Sequence, residues 1–197
     1  MSTLLQECES TARHEGLAAG LEAALSGVDV TATAPGRHAA VSARRAPAGA
    51  AVRTHDLADR EGVVFVACAG QGAGGPRVTE VGRRLAAVRL GLVRRLLDLA
   101  VEELSARTGG GEPLLRKQMV TGAVADAIAE IELLRAYTES RQDPAAVDDL
   151  HRRLDALGWE VARLFGAMGY IADHPARALY VSALVANTWA AGEGAGE

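Results

Sequence analysis

The residues able to do chemistry are few and scattered. His14, His38, His55 and His151 have no partner at metal-ligand spacing, so no metal site is expected. His174, between Asp173 and Pro175, sits in the cap region of a helix. Cys8 and Cys68 support neither a disulfide framework nor a metal pair. Cys8 stands between Glu7 and Glu9, which disfavour its thiolate, and Cys68 closes an apolar run as a small core residue. Gly70, Gly72 and Gly75 spell G-x-G-x-x-G after a strand and before a helix, the pattern of a dinucleotide loop. The helix that follows is too long for that fold, and no second strand with an acidic residue comes after it. The segment reads as a flexible link instead. The paired arginines, such as Arg83-Arg84 and Arg94-Arg95, alternate with acids and read as solvated helix faces. Trp159 and Trp189 read as core or interface packing.

The elements that must position these groups are mostly helical. Of 197 residues, 49% are hydrophobic but only 4% aromatic, so Ala, Leu and Val must pack the core. That favours close helix packing over a β-sandwich. A net charge of −4 gives no footprint for nucleic acid. No basic region followed by an apolar block opens the chain, and no apolar run reaches spanning length, so a cytoplasmic protein is expected.

Residues 3–25 read as one helix, weakened at Gly16 and Gly20. Residues 28–33 alternate like a strand; residues 39–42 and 50–53 are short strand candidates, and 63–68 is a buried strand. From Pro76 onward the spacing predicts four helices. Their stripes run through Leu85, Val88 and Leu92; through Met119, Ala123, Ala127 and Ile131; through Leu150, Leu154 and Val161; and through Val185 to Trp189. The predicted starts are Pro76, Glu112-Pro113, Asp143-Pro144 and Asp173 to Pro175. The expected fold is mainly α: an antiparallel four-helix bundle over residues 76–190, preceded by a short N-terminal helix and a small β remnant within 1–75. Residues 191–197 form a Gly-rich flexible tail.

Three stretches carry a family resemblance. The first is Arg83-Arg84-Leu85-Ala86-Ala87-Val88-Arg89-Leu90-Gly91-Leu92, followed by Leu97-Asp98-Leu99-Ala100. The second is Arg107, a glycine turn, Leu114-Leu115, Gln118 and Ala125 to Glu132. The third is Phe165-Gly166-Ala167-Met168-Gly169-Tyr170, then His174-Pro175 and Leu179-Tyr180. Together, over about 110 residues, they resemble the C-terminal helical domain of the acyl-CoA dehydrogenases, in order and spacing. Residues 31–42 are loosely similar to a strand of the family's middle domain, of which they would be a shortened form.

That resemblance implies a flavoprotein oxidoreductase acting on the CH–CH bond of an acyl thioester, with FAD lying across a subunit interface. Arg107 and Gln118 would hold the cofactor, and Gly166 and Gly169 would let a backbone approach it. Each also has a plain structural reading, as a helix-end cation, a solvated side chain and a helix stop. The usual catalytic carboxylate is missing, since Ala190 stands at its position and Glu193 lies three residues beyond. Glu80 falls within one residue of the alternative base position on the first bundle helix, a slip of roughly 100° around the axis. It reads equally as a first-turn acid favoured by the helix dipole. Other departures are Gly110 for a phenylalanine, Arg163 for a glutamine, Ala167 for a glycine, and Val181-Ser182-Ala183-Leu184 for a charged Arg-Asp-Ala-Arg.

The expected protein is therefore a subunit of a homo- or hetero-oligomer with an acyl-CoA dehydrogenase-like partner, acting on an acyl thioester or another hydrophobic small molecule. Two alternatives stay open. One is a flavin-free binding protein or non-redox enzyme for an acyl or polyketide substrate, and the other is a pseudoenzyme that mediates assembly. No nucleic acid and no membrane partner is expected.

Overall fold

The computed structural model describes residues 3–69 and 75–189. The residues at 70, 72, 190 and 193, and the 191–197 tail, lie outside that range, as therefore does most of the glycine fingerprint. The predicted first helix is two, α1 (Thr3–Glu15) and α2 (Leu17–Ala24). Gly16, at φ +96°, breaks it with a conformation that a side chain rarely allows. The strand expected at 28–33 is instead a single turn, α3 (Val30–Thr33). The Asp29 carboxylate accepts from the Ala32 N–H and caps that turn, a local bond that outweighs the alternating pattern.

Three strands follow: β1 (His38–Ser42), β2 (Val52–Arg53) and β3 (Val63–Ala67), with the short helix α4 (Asp56–Arg60) between the last two. They form an antiparallel sheet in the order β1-β3-β2, with His38 opposite Ala67 and Val52 opposite Val66.

The long helix α5 (Pro76–Ala106) is the axis of the molecule. From Val81 to Val93 every residue but the half-buried Arg84 is buried. Val81, Leu85, Val88 and Leu92 join Leu5, Cys8, Ala12 and Leu21 in one apolar cluster with the inner face of the sheet. Ala86, Leu90, Val93 and Leu97 join a second cluster with the other bundle helices. A helix apolar on both sides is a buried helix, and α5 is covered accordingly.

A hairpin comes next, β4 (Thr108–Gly109) paired with β5 (Glu112–Pro113). The second bundle helix, α6 (Gln118–Ser140), therefore starts later than the expected Glu112-Pro113. Its inward stripe is narrower too. Val124, Ala127, Ile131 and Leu134 are buried, but Met119 is 89% exposed and Ala123 faces out. Helices α7 (Pro144–Arg163) and α8 (Arg177–Trp189) complete an antiparallel four-helix bundle with α5 and α6. The Asp143 carboxylate caps α7 by accepting from the Ala146 N–H, and Pro144 fills its first turn. No described helix is long and apolar enough to cross a membrane.

The N-terminal helix lies along α5. A Cβ on Gly91 would come within 2.2 Å of the Glu9 carbonyl oxygen, so this crossing requires glycine. The Glu9 carboxylate, itself buried, receives two donors from Arg135 of α6 and ties α1 to the bundle.

Candidate functional site

The first turns of α5 and α7 and the last turn of α8 enclose a cavity of about 380 Å³. Thr79, Glu80, Arg83, His151, Ala186 and Trp189 line it. Two helix N-termini open on this space, at Gly75-Pro76 and at Gln142 to Pro144. Their free N–H groups and dipoles favour negative charge there. The sheet fixes the third wall. Trp189 donates its indole N–H to the Ala40 carbonyl at 3.3 Å, and Ala40 N–H donates to Thr188 Oγ1 at 3.0 Å. The β remnant thus pins the end of α8 beside the cavity.

Glu80 stands half-exposed at the rim, and its two oxygens accept from Arg83 at 2.9 Å and Arg84 at 3.2 Å. Arg83 is no solvated helix-face cation. It is 8% exposed and also gives two donors to the Thr138 carbonyl, at 3.0 and 3.3 Å. The last turn of α6 is capped this way, a long-range partnership without a local sequence signal.

Deeper in, His151 Nε2 lies 3.0 Å from the Gly82 carbonyl, and Arg89 Nη1 lies 3.1 Å from its Nδ1. A carbonyl can only accept and a guanidinium can only donate, so the proton sits on Nε2. Burial and then the Arg89 charge push this imidazole down to about 3, against a smaller opposing contribution from Gly82. It is a neutral, structural histidine at the floor of the cavity. The cysteines are inert for a related reason: burial, more than the flanking acids, pushes the Cys8 thiol up to about 11, and burial also raises Cys68.

The residues singled out for cofactor binding lie elsewhere. Arg107 ends α5 with its guanidinium 52% exposed and Nη1 donating to Glu103 at 3.0 Å. Gln118 opens α6 and is exposed. Gly166, at φ +61°, stops α7. A Cβ on Gly169 would fall 2.4 Å from the Ala162 carbonyl oxygen, so the chain's own packing accounts for this glycine. Arg107 ends α5, Gln118 opens the antiparallel α6, and Gly166 and Gly169 follow the end of α7, which puts all four positions at one end of the bundle. Glu80 is at the other end, 27 residues back from Arg107 along one helix, a distance of about 40 Å. One chain does not bring the two groups together.

The lost charges on α8 have a local explanation. Val181 and Ser182 are 0% and 1% exposed, and Ser182 Oγ donates to the Leu179 carbonyl at 2.7 Å. His174 behaves as a cap, with Nδ1 accepting from the Ala176 N–H at 3.1 Å and its ring edge-on to Phe165.

A sequence profile described as "Acyl-CoA dehydrogenase, C-terminal domain" matches residues 79–195. A search of curated proteins finds no match. Among solved structures, the chain is similar to the steroid ACAD variant of Tcur3481-Tcur3483, with TM-score 0.55 and 21% identity over 72% of this chain and 45% of that one. For a putative acyl-CoA dehydrogenase from Mycobacterium smegmatis the values are 0.53, 20%, 73% and 46%. For butyryl-CoA dehydrogenase from Megasphaera elsdenii they are 0.53, 15%, 78% and 45%. At such identities these structures speak to the fold alone. The chain spans a little under half the length of each.

Proposed function

The chain belongs to the acyl-CoA dehydrogenase family, and from that premise we propose that it is a subunit of an acyl-CoA dehydrogenase-type assembly in the cytoplasm. It would bind an acyl thioester in the cavity at Glu80. At its other end it would lend Arg107 and Gln118 to an FAD held mainly by a second copy or a larger partner. The observation that carries this reading is the separation of about 40 Å between the cavity at Glu80 and the exposed Arg107 and Gln118. Groups that far apart serve one reaction centre only when two subunits share it.

The residues fit FAD unevenly. Arg107 spends one of its five donors on Glu103 and faces solvent, which suits a phosphate of a group docked from outside. Gln118 is exposed at the same end of the bundle, at a helix N-terminus that favours an anion. Gly169 does not argue for the cofactor, because Ala162 already accounts for it. FAD, when bound, supplies the hydride acceptor. The chain's own residues do the rest: the two helix N-termini draw the thioester oxygen, and a Glu80 oxygen takes the α-proton after release from Arg83 or Arg84.

That double engagement of Glu80 favours a second reading, a flavin-free binding protein or an assembly subunit on the same bundle. The visible absorption of the purified protein separates the two. Flavin bands in the isolated chain, or in a complex co-purified with a full-length dehydrogenase, support the first. A colourless chain that takes up no added FAD, alone or with such a partner, excludes it. In an active complex, Glu80→Gln should lower turnover by about 10²–10⁴-fold with folding retained; unchanged turnover would remove Glu80 as the base.

A further inference from the structure

The cavity at Glu80 changes character with depth. Its mouth is polar, with Gln142 and Asp148 exposed and Glu80 half-exposed. Its inner walls are Val78, Val147, Ala186 and Trp189, all buried. The polar groups that reach inward are already matched. The Trp189 indole N–H is taken by the Ala40 carbonyl. Arg83 directs Nε and Nη2 to the Thr138 carbonyl and Nη1 to Glu80. His151, on the floor, has Nε2 on the Gly82 carbonyl and Nδ1 against Arg89. With both nitrogens engaged, the imidazole shows the cavity only carbon. Among the described residues, the buried side-chain nitrogens left without a partner belong to Arg89 and Arg177, and neither lines this cavity. A polar group pushed past these walls would lose its water and find no hydrogen bond, whereas a hydrocarbon chain would lose nothing.

The floor also limits length. His151 follows Pro144, at the mouth, by seven positions of one helix, or about 10 Å along its axis. An extended chain advances about 1.2 Å per bond, so about eight carbons reach from mouth to floor. The floor is braced from behind, because Arg89 holds His151 and Asp155 holds Arg89.

We infer that this cavity takes an unsubstituted aliphatic acyl chain of up to about eight carbons, and that Val147 and Ala186 set the limit. The inference rests on the thioester reading of the same cavity and adds the class of acyl group to it. The thioester stays at the polar mouth beside Glu80, and only hydrocarbon passes the buried walls.

Calorimetric titration of the full chain with the coenzyme A thioesters of butanoic, octanoic, dodecanoic and ω-hydroxyoctanoic acid tests it. Affinity should rise roughly threefold to fourfold per methylene from butanoyl to octanoyl. It should then fall about tenfold or more at dodecanoyl, which overfills the space. The ω-hydroxyoctanoyl thioester should bind about tenfold or more weakly than octanoyl, since its hydroxyl meets no partner. Val147→Ala should recover about threefold or more of the dodecanoyl affinity, and Ala186→Leu should weaken octanoyl about tenfold. If Ala186→Leu fails to fold, Val147→Ala decides. An affinity that keeps rising through dodecanoyl, an ω-hydroxyl group tolerated without loss, or a profile unmoved by Val147→Ala would overturn this inference and leave the thioester reading in place. Binding of none of the four would overturn both.

Discussion

At the scale of single residues, His151 gives the sharpest expectation. Burial and Arg89 depress its pKa from 6.5 to about 3, so the folded protein excludes a proton that the unfolded chain accepts. The stabilisation is complete above about pH 6.5 and is lost as pH falls toward 3. Between pH 7 and 5 the loss should be roughly 1–2 kcal/mol. Thermal unfolding followed across that range should show it, and His151→Gln should flatten the profile; equal slopes in the two proteins would exclude the assignment. The sequence carried no sign of this network, because Arg89 and His151 are 62 positions apart and on different helices. Glu80 was visible as a candidate, through its place on the first bundle helix. Its engagement by Arg83 was not, since Arg83 read as part of a solvated pair and its burial depends on Thr138. Arg107 and Gln118 were singled out by the family resemblance alone, and the structure adds only that they face outward.

At the scale of elements, α1 crosses α5 closely enough that Gly91 has no room for a side chain. Gly91→Ala should destabilise the protein by about 1–3 kcal/mol, because the new methyl group meets backbone and not a movable side chain. A denaturant titration reads this as a lowered midpoint with an unchanged slope, and a midpoint equal to the parent would mean that α1 is not held there. The long helices α5 and α7 were legible because their apolar stripes continue over many turns. The start of α6 was not, because Met119 and Ala123 continue the apolar pattern while lying exposed. At 28–33 the error has another cause: β-branched residues alternate as in a strand, but Asp29 supplies a helix cap. The three pieces of the sheet were placed correctly, as its central strand is a continuous apolar run bounded by turns.

At the scale of the whole molecule, α6 exposes three large apolar side chains, spread around its solvent side among acids and Arg135. Met119, Ile128 and Leu133 are 89%, 49% and 52% exposed on one helix. The assembly proposed above would cover side chains of this kind. Sedimentation should therefore find the protein as a dimer or larger, or in complex with a partner, and Ile128→Lys with Leu133→Lys should release monomers of unchanged helicity. A parent protein that sediments as a monomer and captures no dehydrogenase would contradict this. The seat of α1 on α5 also bears on how the chain is made. Arg13 pairs with Asp98, 85 positions later, and the apolar side of α1 is covered by that same long helix and by α2. At about 5–20 residues per second, a ribosome takes roughly 4–17 s to supply the missing surface. For that interval Leu5, Cys8 and Ala12 lack their neighbours on α5, so a segment made before α5 is among the last to settle, and this nascent stretch is where a chaperone would find its hold.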